Sequence, residues 1–115
     1  MTAHASDDAL IADLARALGH ELSLVAEVHE GRASFIVAET AGTRTWRLEC
    51  SPSELADAVR DRTVSGREAG VGYADPSRGA SPGAALLAIH LSEAIATAGP
   101  SARRLVVDRG GVRGV

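Results

Sequence analysis

The stretch Leu22–Cys50 reads LSLVAEVHEGRASFIVAETAGTRTWRLEC, and its pattern decides the fold. Apolar residues recur at every second position: Leu22, Leu24, Ala26 and Val28, then Ala33, Phe35 and Val37, then Trp46, Leu48 and Cys50. A period of two is the mark of a strand with one face on a core. Glu30-Gly31 and Ala41-Gly42 stand between the three runs as turns. With each turn centred on its glycine, opposed residues share a face. The first hairpin then pairs Leu24 with Val37, Ala26 with Phe35 and Val28 with Ala33. The second pairs Val37 with Trp46, Phe35 with Leu48 and Ala33 with Cys50, with Glu39 facing Arg44 at the rim. A one-residue slip destroys all three apolar rows, so the spacing predicts an antiparallel three-stranded meander.

Helical periods flank the meander. Leu10, Ile11, Leu14 and Leu18 form one stripe on a helix from about Asp7 to Leu18. Acids lie in its first turn and Gly19 stands just past its end. Ser51-Pro52-Ser53-Glu54 is a helix start, with Ser51 as cap, proline in the first turn and Glu54 placed for a capping box. That second helix is expected to reach about Arg62. Residues 63–81 are glycine-rich and aperiodic, and are expected to form a long mobile loop. Ser81-Pro82 opens a third helix running to Ala98, apolar around most of its circumference and so expected at the centre of the core. Leu105-Val106-Val107 reads as a short strand buried on both faces. Residues 108–115 are expected either to turn into a last edge strand or to fray. The expectation is one α+β domain over residues 1–115: a three-stranded antiparallel meander plus a C-terminal strand, helices packed on one face, in the order α-β-β-β-α-α-β.

Bulk properties exclude several classes. The chain has 115 residues, 45% hydrophobic and 23% charged, ordinary values for a folded domain. Its single cysteine, Cys50, rules out an internal disulfide and gives no sign of an oxidising compartment. No apolar run approaches a membrane span, and the first residues lack a signal peptide's basic and apolar regions, so a cytoplasmic location is expected. All 12 Lys/Arg positions are arginine, which reads most simply as codon bias. Residues 1–57 carry four arginines against ten acids, and residues 58–115 eight against five. This polarity is too mild to indicate nucleic acid.

The candidate chemical motifs each fail on a physical point. Gly79-Ala80-Ser81-Pro82-Gly83 fits the G-x-S-x-G nucleophile elbow, but the residue after the serine must donate its backbone N–H to an oxyanion, and proline has none. Gly70-Val71-Gly72-Tyr73-Ala74-Asp75 lacks the third glycine and the flanking strand and helix of a dinucleotide site. His90 and Glu93 share a helix face, but carboxylate-bridged metal sites need a second such pair. Cys50, on the inward face and away from cations, reads as inert packing. Arg109-Gly110-Gly111 is one triplet without the repeats and aromatics of RNA-binding segments. No catalytic residue, metal site or cofactor is assigned.

The early element order, α-β-β-β-α over roughly the first sixty residues, resembles the fold of type III secretion chaperones and YbjN-like proteins. That resemblance implies dimers that bind peptides. It rests on no shared motif and carries over no residue, and it departs where those folds place a further hairpin before their last helix.

Two functional expectations follow. The first is a non-catalytic binding or adaptor domain, acting on a protein partner or as a homodimer through the outward sheet face, with Val25, Ile36, Ala38 and Arg47 at the interface. The alternative is a small-ligand protein or small enzyme with a pocket under the 63–81 loop. Tyr73, Asp75 and Arg78 would then supply polar contacts, and His90 an acid–base group.

Overall fold

The computed structural model describes residues 7–42, 44–68, 82–108 and 111–115. Its elements are helix α1 (Asp7–Leu18), strands β1 (Leu22–His29), β2 (Arg32–Glu39) and β3 (Thr45–Leu48), helices α2 (Pro52–Glu68) and α3 (Pro82–Thr97), and strands β4 (Arg104–Asp108) and β5 (Gly111–Gly114). The strands form one mixed sheet in the order β1-β2-β3-β4-β5. The helices pack on one of its faces.

The meander forms in the expected register: Leu24 pairs with Val37, Ala26 with Phe35, Val37 with Trp46 and Phe35 with Leu48. Its first turn takes positive φ at both central residues, 52° at Glu30 and 78° at Gly31. That is the two-residue hairpin geometry whose twist matches the strands it joins. Phe35, Val37, Trp46 and Leu48 are buried and meet Leu14 and Leu18 of α1, Leu55 and Val59 of α2, and Leu87 and Leu91 of α3. The Arg44 guanidinium lies 4.3 Å from the centre of the Trp46 ring. Its Nε stands 3.9 Å from Glu39 Oε2, the expected rim pair.

The third apolar row does not enter the core. Val28 is 75% exposed, and Ala26 and Ala33 are also exposed. The hairpin tip extends beyond the described helix layer, so alternation there has nothing to pack on. The Ala33–Cys50 pair is likewise absent. β3 ends at Leu48, and the Cys50 N–H turns back to donate to the Leu48 carbonyl at 3.0 Å. Cys50 packs only partly buried against the core margin.

Helix α2 begins at the expected box. The Glu54 N–H donates to Ser51 Oγ at 3.2 Å, and the Ser51 N–H donates to Glu54 Oε1 at 3.0 Å. The Ser51 backbone N–H, and after it the Ser51 hydroxyl, hold the Glu54 carboxyl below its usual pKa. The helix runs to Glu68 instead of ending near Arg62, so residues 63–68, expected in the loop, are helical. The rest of the expected loop, 69–81, lies outside the described residues. Helix α3 packs against α1, α2 and β5, though Ile89 is 42% exposed.

The sheet corrects the sequence reading in two ways. β4 pairs with β3 in parallel, Arg47 beside Arg104 and Leu48 beside Leu105, so the sheet is not purely antiparallel. The physical reason is the route. Parallel neighbours need a long crossover, and here α2 and α3 supply it. Of the two outcomes expected for residues 108–115, the edge strand is the one taken: Gly111–Gly114 forms β5, paired antiparallel with β4 and missing from the expected order. β4 is not buried on both faces: Leu105 is buried, while Val106, on the face without helices, is half-covered. Gly114 lets β5 approach α3, since a Cβ there would lie 2.7 Å from Ala98 Cβ and 3.3 Å from the Ala94 carbonyl oxygen.

Candidate functional site

Strand alternation divides the sheet into two unlike faces. Leu24, Phe35, Val37, Trp46, Leu48, Leu105, Val107 and Val112 look toward the helices and belong to or pack against the core. The opposite face carries Ser23, Val25 and Glu27 on β1, Ser34, Ile36 and Ala38 on β2, Thr45 and Arg47 on β3, Arg104 and Val106 on β4, and Arg113 on β5. Among the described residues, no helix packs on this second face.

The four expected interface residues come together there. Val25 pairs with Ile36, Ile36 with Arg47, and Ala38 flanks them beside Thr45. Val25 is 57% exposed, while Ile36, Ala38 and Arg47 are half-buried by their neighbours. Arg47 reaches across β2 to Glu27, with Nη2 at 4.0 Å from Oε1. Ser34, between those strands, is buried, and its Oγ has no hydrogen-bond partner. Two further arginines continue the row. Arg104 Nη1 stands 3.5 Å from Glu49 Oε1, and Arg113 Nε 3.0 Å from Asp108 Oδ2. Arg47, Arg104 and Arg113 on this face therefore each have an acid within reach, leaving a small apolar centre with ion pairs at its rim.

Of the residues expected around a ligand pocket, Tyr73, Asp75 and Arg78 lie outside the described residues. His90 is on α3, and its Nδ1 accepts a hydrogen bond from Arg62 Nε at 3.1 Å. Arg62 is itself 3% exposed. Its Nη1 donates to the Ala58 carbonyl at 3.2 Å, and its Nη2 donates to the carbonyls of Asp108 at 2.6 Å and Gly111 at 3.2 Å. Burial lowers the His90 pKa, and the Arg62 charge lowers it further against the pull of Glu93. This constellation joins α2, α3 and the paired ends of β4 and β5. Sequence reasoning missed Arg62, because an arginine near the expected end of a helix reads as solvated.

A groove of 620 Å3 that the sequence did not signal lies elsewhere, between the α1–β1 turn, the β2–β3 turn and α3. His20, Glu21, Glu39, Arg44 and Ser92 line it, with Ile95 beneath. Its charges are of both signs, and Arg44 is engaged with Trp46 and Glu39.

Burial, aided by the nearby Glu54 charge, pushes the Cys50 thiol up to about 12, far from the thiolate a nucleophile needs. Among the described residues no group of three or more His, Cys, Asp or Glu could hold a metal ion. No described helix is long and apolar enough to cross a membrane.

No family model matches this chain, no curated protein matches its sequence, and no solved structure matches its fold. The resemblance in element order to type III secretion chaperones thus carries no argument beyond order itself.

Proposed function

We propose that this chain is a small non-catalytic binding module whose helix-free sheet face takes up a protein partner. One observation carries the reading: three helices pack on one face of the sheet, while the other holds Val25, Ile36 and Val106 with no described element over them. An apolar centre with a rim of ion pairs is the ordinary anatomy of a protein interface. The chemistry elsewhere supports it. His90 is committed to Arg62, and the Cys50 thiol is held protonated.

The test is a photo-crosslinking amino acid placed at Ile36, compared with the same group at Ile89 on α3, in cells expressing the protein. A discrete protein adduct is expected from position 36 and none from position 89. Matching patterns at the two positions, or no adduct at 36, overturns the reading.

A further inference from the structure

β1 is an edge of the sheet, paired with β2 on one side and with no described strand on the other. Edge strands normally carry a device against further pairing, such as a proline, a bulge, a lysine or very short length. β1 has none. It is eight residues long, its ladder with β2 is unbroken from Leu22 to His29, and valines are exposed on both its faces, Val25 on one and Val28 on the other. The Glu21 carbonyl accepts from the Thr40 N–H at 3.0 Å, which fixes the phase of the ladder. By antiparallel alternation, Ser23, Val25, Glu27 and His29 turn their backbone groups toward β2. Leu22, Leu24, Ala26 and Val28 turn theirs to the open edge.

We infer that this edge is the site at which a second copy of the chain joins, β1 against β1, antiparallel about a two-fold axis at Val25. The inference concerns the rim of the sheet and stands apart from the face reading. Side-chain complementarity selects both the occupant and the register. Centred on Val25, the pairing sets Leu24 against the partner's Ala26 and Leu22 against the partner's Val28. It sets Glu21 against the partner's His29, so each end of the ladder joins a carboxylate to an imidazole. Moving the axis to Leu24 opposes Glu21 to the partner's Glu27. Moving it to Ala26 sets Glu27 on the partner's Val25. The Val25 register also opposes the four residues with free backbone groups, giving about eight new hydrogen bonds. The two sheets become one continuous ten-stranded sheet, an isologous contact that closes on itself.

Light scattering on the wild type is expected to give the mass of two chains. Ala26→Pro removes an N–H that faces only the open edge, so it is expected to give one chain with an unchanged circular dichroism spectrum. Should that variant lose its fold, a second pair decides. In a Cys50→Ala background, Val25→Cys places two thiols at a non-hydrogen-bonded pair on the axis. There the Cα atoms stand about 4.5 Å apart, within disulfide range. Mild oxidation should link it quantitatively and leave Glu27→Cys, which faces the partner's Ser23, unlinked. A wild type of single-chain mass, a dimer that survives in folded Ala26→Pro, or equal linking at both cysteines overturns the inference. None of these results bears on crosslinking from Ile36.

Discussion

Arg62 and Gly114 show how single residues tie the C-terminal strands to the helices. Arg62 donates to three backbone carbonyls and one imidazole, and only a long charged fork can reach α3 and the paired ends of β4 and β5 together. Arg62→Ala strands those acceptors, and a loss of about 2–4 kcal/mol is expected from urea denaturation. His90 makes this junction sensitive to acid. Its folded pKa lies below the ordinary 6.5, so in the window beneath that value the unfolded chain binds more protons. The stabilisation is complete above that window and is lost as pH falls through the folded value. The urea midpoint should drop from about pH 7 to 5, and drop less in His90→Asn, which keeps an acceptor but does not titrate. At Gly114 an added methyl meets backbone as well as side chain. Gly114→Ala should cost about 1–3 kcal/mol, read as a lower thermal midpoint. Neither residue was legible in advance, because both matter only through chain segments distant in sequence.

The elements with local causes were legible. The meander register followed from period two, and the Ser51–Glu54 box fixed the start of α2. Ser51→Ala should cost about 1 kcal/mol by chemical denaturation, with the sheet unchanged. Where an element depended on a partner, the pattern failed. β5 is four residues with glycine at each end, and its strand conformation comes from β4 beside it. Ala26, Val28 and Ala33 alternate as a buried strand does, yet the described helix layer stops short of them. Alternation states which side chains share a face, not whether anything covers it.

Across the whole molecule, the sheet's two faces respond differently to the same substitution. Ile36→Glu adds a carboxylate to a half-open surface beside Arg47 and should change the thermal midpoint little. Leu48→Glu puts that charge into a sealed interior and should leave no cooperative transition. The candidate interface at Val25, Ile36, Ala38 and Arg47 was readable from strand parity alone. Of the four residues of the ligand-pocket alternative, three fall outside the described structure, and the fourth, His90, is bonded to Arg62.

The parallel seam between β3 and β4 also dictates an order of events. α1 and the meander collect their contacts from neighbouring sequence and can assemble early. The free side of β3 must wait until both crossover helices have settled and β4, which begins at Arg104, has been laid down. Pulse-labelled amide exchange during refolding should therefore protect Val37 before Arg47, whose N–H donates across the seam to the Arg103 carbonyl at 2.8 Å. Until that late closure, the growing chain carries a second bare strand margin in its middle, so refolding at high concentration should be prone to aggregation.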